Sequence, residues 1–408
     1  MKKLLVKNIG LLATPEGKSA HRGEEQGKIK FLKDAWVLVE DGIIASVGTG
    51  AVPAVEGAEV VDAEGHLVTP GLVDAHTHLI FGGWRQNELG LKLHGASYLD
   101  IQNAGGGIQS TTNATRQASE QELAAKASKA LDEMMGFGTT TVEAKSGYGL
   151  ATEHELKALE VIKDLNDHHR MDLVATFMGA HLVPAEYKSN REEYVRLVCE
   201  EMMPKVKEQG IAKFCDVFCE ADTFTVEESR QVLEAGLKYG LRPKIHADEI
   251  EAIGGSQLAG EIGAISAEHL IVCPPEGIAS MAKGGVIACL LPATSFNLGA
   301  VFAPARDMVK AGVPVAMATD FNPGSCPCLN MQLVISLGCL RYRLTPEQAL
   351  TAVTLNGAAA ICRADRIGSI EPGKQADILI WNAEDLDYIC YRLGSNLVDT
   401  VIKKGNVV

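Results

Sequence analysis

Eight times between residues 71 and 320, a short apolar run ends in polar or glycine residues and gives way to a longer segment of mixed charge with helical spacing. This alternation restricts the fold, because strands separated by helices assemble into parallel sheet with both faces covered. Strands are predicted at 71–78, 139–145, 172–181, 213–220, 243–249, 264–270, 286–294 and 313–320. Several helix starts carry a side-chain oxygen with Glu or Gln three residues later, the spacing that satisfies free amides reciprocally. These are Ser119/Glu122, Thr152/Glu155, Thr225/Glu228 and Thr345/Gln348. Eight such units fit a closed (β/α)8 barrel, which typically occupies about 250 residues, with a doubly wound open sheet as the structural rival.

Both ends of the chain read differently. Residues 1–69 hold short strands separated by hairpin signals such as Asp41-Gly42 and Glu64-Gly65, and residues 366–408 add strands around 376–381 and 398–403. The expected fold class is therefore α/β: a TIM-like barrel over 70–365, inserted into a small β-sandwich domain built from both termini, 1–69 and 366–408.

His76-x-His78 closes the first barrel strand. Alternate residues of a strand project to one side, so two imidazoles at this spacing can share a metal ion. His246 closes the run Pro243-Lys244-Ile245-His246, and Asp320 closes the run that starts at Val313. Strand ends of such barrels carry the chemistry, and three nitrogens with one carboxylate make a hydrolytic metal site suited to zinc or iron. Because the fourth predicted strand ends without a lysine that could be carbamylated, one metal ion per subunit is expected rather than two. His181, Glu249 and His269 also stand at strand ends. Each could move protons or polarise a carbonyl, and each could equally hold a ligand in place by hydrogen bonding.

A net charge of −14 argues against a nucleic-acid partner held through phosphates. Ten cysteines without scaffold spacing fit a reducing, cytoplasmic setting. Lys7 and Asn8 interrupt the apolar start before it reaches signal-peptide length, and no run approaches a membrane span. A homodimer is only the common default.

Pro70-Gly71-Leu72-Val73-Asp74-Ala75-His76-Thr77-His78, His246, His269, Asp320 and Gly368-Ser369-Ile370-Glu371-Pro372-Gly373-Lys374 resemble the amidohydrolase superfamily. More discriminating are Phe81-Gly82-Gly83-Trp84-Arg85, Ala104-Gly105-Gly106-Gly107-Ile108, Glu143-Ala144-Lys145-Ser146-Gly147-Tyr148-Gly149 and Asp320-Phe321-Asn322-Pro323-Gly324-Ser325, which are similar to the imidazolonepropionase family. Carried over by position, the resemblance implies metal binding by His76, His78, His246 and Asp320. It implies substrate contacts from Arg85, Tyr148, His181, Glu249, Asn322, Gly324 and Ser325.

The implied reaction is hydrolysis of the cyclic amide of 4-imidazolone-5-propanoate to N-formimidoyl-L-glutamate by a metal-activated water, the third step of L-histidine degradation. Arg85 offers a planar fork for the substrate carboxylate and Tyr148 a hydroxyl donor. In this scheme Asp320 and His269 orient the water or accept its proton, His181 stabilises the oxyanion, and Glu249 protonates the departing nitrogen. Two rivals are a mononuclear aminohydrolase acting on a nucleobase, which would release ammonia, and a catalytically silent homologue serving as a scaffold.

Overall fold

The computed structural model describes residues 2–95 and 106–408. Five strands come first: β1 (Lys3–Thr14), β2 (Lys30–Glu40), β3 (Ile43–Thr49), β4 (Glu59–Asp62) and β5 (Leu67–Pro70). Eight follow with helices between most of them: β6 (Leu72–Thr77), β7 (Thr139–Lys145), β8 (Asp172–Ala180), β9 (Phe214–Cys219), β10 (Arg242–Ala247), β11 (Ser266–His269), β12 (Ile287–Leu290) and β13 (Val315–Met317). The chain closes with β14 (Ile378–Trp381), β15 (Val398–Lys403) and β16 (Asn406–Val407).

Strands β6 to β13 pair in sequence order, every neighbour parallel. The ring is drawn together where β6 meets the segment after β13: Thr77 bridges Phe321, the His78 amide donates to the Phe321 carbonyl at 2.9 Å, and the Asp320 amide donates to the His76 carbonyl at 3.1 Å. This seam brings together two predicted ligand segments that are far apart in sequence. The barrel of the predicted (β/α)8 fold is present, and the doubly wound alternative falls away.

Strands from both termini hydrogen-bond along one path, β16-β15-β14-β5-β1-β2-β3, with β4 also on β1. Leu4, Val6, Ile9, Val37, Ile378 and Ile402 belong to one apolar cluster that joins the two ends of the chain. Asp41-Gly42 makes the expected two-residue hairpin between Glu40 and Ile43, both turn residues having positive φ. Glu64-Gly65 does not make a hairpin. Strands β4 and β5 both run parallel to β1, against residues 4–7 and 11–12, so the turn only steps the chain along one edge.

Capping boxes close at Ser119, Thr225 and Thr345. At Thr152 none forms, because the Glu155 carboxylate instead accepts the amides of Gly147 at 3.0 Å and of Gly149 and Leu150 at 2.8 Å. The predicted strand 286–294 is cut short: β12 stops at Leu290 and Pro292 opens the helix Pro292–Leu298, where its missing N–H costs nothing. Ten free cysteines are present, and among the described residues no helix is long and apolar enough to cross a membrane.

Candidate metal centre

β6 carries the His76 imidazole into the barrel mouth and His78 follows just past its end, where β10 adds His246 and the closing seam adds Asp320. All four side chains are buried. His78 Nε2 lies 3.2 Å from His246 Nε2, and Asp320 Oδ1 lies 3.4 Å from His76 Nε2 and 3.6 Å from His78 Nε2. Among the described residues, neither His76 Nε2 nor Asp320 Oδ1 has a hydrogen-bond partner, although both are buried. Buried polar atoms that converge without hydrogen-bond partners are costly, and a cation lying among them would satisfy them. Ligand atoms of His76, His78 and His246 fall within 4.8 Å of one another, as do those of His76, His269 and Asp320. Three imidazoles and a carboxylate suit a divalent metal.

Hydrogen bonds fix how these groups face. Thr294 Oγ1 donates to Asp320 Oδ2 at 2.7 Å, which turns Oδ1 towards the histidines. His181, just past β8, lies with Nδ1 2.9 Å from the Gly147 carbonyl, so Nδ1 carries the proton. Its ring stacks on His78 at 4.8 Å, and burial together with the neighbouring His246 pulls its pKa down to about 3. His269 is likewise pushed down to about 3 by burial. Its Nε2 stands 3.6 Å from Glu249 Oε2. Burial, and then the charge of Asp320, raise the Glu249 carboxyl to about 8.

Several rim residues hold left-handed backbone without being glycine: Leu150 (φ 50°), Asp248 (φ 52°), His269 (φ 68°), Leu270 (φ 57°) and Asp320 (φ 58°). Each costs on the order of 1–3 kcal/mol, and at His269 and Asp320 the strained backbone carries side chains of the histidine and carboxylate cluster.

Arg85 lies over the rim, its Nε and Nη2 donating to the two Glu88 carboxylate oxygens at 2.8 and 2.9 Å. Glu88 also accepts the Gly107 amide at 2.7 Å, tying Arg85 to the helix Gly107–Gln117. Ala104 and Gly105 of the predicted glycine segment lie outside the described residues. Tyr148 is buried 5.2 Å from the His181 ring, on the loop that Glu155 ties down. Asn322 spends its side chain inside its own loop: Oδ1 accepts the Gly324 and Ser325 amides at 2.8 Å, while Nδ2 donates to the Asp320 carbonyl and to Ser325 Oγ. Of the predicted substrate contacts, Asn322, Gly324 and Ser325 thus first build a turn beside Arg85.

The amidohydrolase family profile matches residues 67–408. This chain belongs to that family. An imidazolonepropionase from Alkaliphilus metalliredigens is 51% identical over 414 residues, covering 100% of this chain and 98% of the relative. Another, from Geobacillus kaustophilus, is 50% identical over 416 residues with the same coverage. Within the amidohydrolases, the chain therefore falls in the imidazolonepropionase family. Among solved structures, a triazine hydrolase variant aligns with a TM-score of 0.75 at 18% identity, over 100% of this chain and 94% of that one. A guanine deaminase from C. acetobutylicum aligns at 0.71 and 19%, covering 100% of both chains. At that identity the likeness is one of fold.

Sequence reasoning gave no role to five acidic and basic side chains of this amidohydrolase that lie behind the His76 and His246 rings: Glu143, Lys145, Asp216, Lys244 and Glu268, all fully buried. Asp216 Oδ1 lies 3.1 Å from His246 Nδ1, and Glu268 Oε2 is paired with His76 Nδ1. Burial works most strongly on His76 and lowers its pKa, but the charge of Glu268 together with hydrogen bonding to Asp320 and Glu268 raises it to about 9. A signal was present. Glu143 and Lys145, like Lys244 and His246, are spaced two apart within apolar strands, the period that points both side chains to one face.

Proposed function

We propose that this amidohydrolase adds water across the cyclic amide C–N bond of 4-imidazolone-5-propanoate, giving N-formimidoyl-L-glutamate, the third step of L-histidine degradation. What carries the reading is the full-length kinship with imidazolonepropionases, at 51% identity in the Alkaliphilus metalliredigens case. Local support comes from Arg85 and Tyr148, a cation and a hydroxyl on loops at the same barrel mouth as the histidine cluster.

His76, His78, His246 and Asp320 would hold a single metal ion, zinc or iron. When bound, that ion supplies Lewis acidity, polarising a carbonyl oxygen and making water acidic enough to react near neutral pH. The protein's own groups do the rest. Asp320 and the neutral His269 ring would orient water or accept its proton. Glu249, whose carboxyl is raised to about 8 by burial and the charge of Asp320, can pass a proton to the departing ring nitrogen. His181 takes a different part from the oxyanion role expected of it. Its Nδ1 proton is committed to Gly147 and burial keeps the ring neutral, so Nε2 presents a lone pair that accepts a hydrogen bond from a substrate N–H. Arg85 receives the propanoate carboxylate.

Metal-loaded protein mixed with 4-imidazolone-5-propanoate should bleach the imidazolone ultraviolet band and yield N-formimidoyl-L-glutamate by mass spectrometry. Persistence of the substrate in metal-replete protein would defeat the reading. Ammonia release from a purine would replace it with a deaminase.

A further inference from the structure

Behind the metal-binding imidazoles lies a cluster that no step of the proposed reaction uses. Lys145, the last residue of β7, places Nζ 2.9 Å from Glu143 Oε1, 2.7 Å from Asp216 Oδ2 and 3.0 Å from Glu268 Oε2. Lys244 Nζ stands 2.9 Å from Glu268 Oε1 and 3.5 Å from Glu143 Oε1. Two of these carboxylates reach onward to the Nδ1 faces of His246 and His76. The ligand atoms of Asp216, His246 and Glu268 also lie within 4.8 Å of one another, a grouping that could itself hold a cation. Lys145 bonds to both carboxylates of that grouping.

We propose that Lys145 is the positioning residue of the metal centre and its permanent internal cation: its ammonium locks Asp216 and Glu268 against His246 and His76, and fills the place a second metal ion would take. This rests on the reading that His76 and His246 bind the metal. A carboxylate on Nδ1 aims Nε2 at the ion and raises its basicity, but only while the carboxylate is itself held. Three buried carboxylates with no nearby cations would repel one another and seek either protons or a metal. An ammonium tethered to β7 provides the countercharge without exchanging with solvent, so the barrel mouth keeps a single exchangeable ion.

The test uses Lys145→Met and, in case that protein folds poorly, Lys145→Met/Glu143→Gln. The double variant removes one carboxylate along with the ammonium and so preserves the net charge of the cluster. Both are loaded with Co2+, and three readouts are taken without substrate: the dissociation constant, the visible absorption bands of the bound ion, and the number of equivalents bound at excess metal. We expect affinity to fall roughly tenfold to hundredfold, the bands to shift, and a second equivalent to bind in Lys145→Met. Wild-type affinity and bands in both variants would overturn the positioning role. A single equivalent in both would overturn the internal-cation role. Because no substrate is present, a wrong substrate assignment would show in the turnover assay and leave these readouts untouched.

Discussion

Arg85 rests directly on Gly324: a Cβ added to that glycine would lie 2.1 Å from Arg85 Nη1. No real pair of atoms tolerates that distance, so the guanidinium reaches its position only because residue 324 has no side chain. Gly324→Ala should therefore displace Arg85 without deleting it. We expect KM for the imidazolone substrate to rise roughly tenfold, about 1.4 kcal/mol, while bound metal stays at the wild-type level. A wild-type KM in steady-state kinetics would show that Arg85 does not need this seat.

Arg85→Ala removes the charge itself. Loss of a charge-assisted hydrogen bond is worth about 1.5–3 kcal/mol, so kcat/KM should fall by one to two orders of magnitude. An analogue lacking the propanoate arm should be nearly indifferent to the change, and an equal loss with both substrates would argue against carboxylate recognition.

Glu249→Gln keeps size and removes the transferable proton. Because Glu249 belongs to neither ligand grouping in the barrel mouth, metal content should hold while kcat falls roughly hundredfold or more. Measurement of kcat alongside elemental analysis separates the two effects; lost metal would turn the residue into a structural support.

His76→Ala should release the metal and abolish turnover together, because it deletes a ligand whose buried Nε2 has no hydrogen-bond partner among the described residues. Full metal content in this variant would unseat the ligand assignment.

Asp172 joins the barrel to the terminal sheet, its Oδ2 accepting from Lys403 Nζ and Gln375 Nε2 at 2.8 Å each. Burial would raise its carboxyl, but Lys403, helped by Lys404 and Gln375, holds it at about 2 against an ordinary 3.8. A depressed carboxyl stabilises the fold above its ordinary value, and that contribution is lost as pH falls through the folded one. Asp172→Asn should cost about 1–2 kcal/mol at neutral pH, allowing for solvent screening. Urea midpoints of wild type and variant should converge as pH drops towards about 2, and a gap independent of pH would rule this origin out.

What could be read from the sequence followed how local each signal is. Ser119, Thr225 and Thr345 were legible because a cap and its third residue satisfy each other within one turn. Thr152 misled because Glu155 found better partners in the Gly147 to Leu150 loop, a choice that depends on the folded chain. His76, His78, His246 and Asp320 stood out through their place at strand ends, and the family motifs pointed the same way. The ion pairs of Lys145 and Lys244 were not legible, since a lysine in an apolar strand declares its carboxylate partners only when neighbouring strands are in register.

The left-handed rim residues limit how this chain could be made more heat-resistant. Glycine replacement is the usual relief for positive φ, yet Leu150 and Leu270 are fully buried and would leave cavities, while His269 and Asp320 would give up their imidazole and carboxylate. The strain has no cheap release. Gains in melting temperature must come from the periphery, and sequences selected for hardiness should change there while these five positions stay as they are.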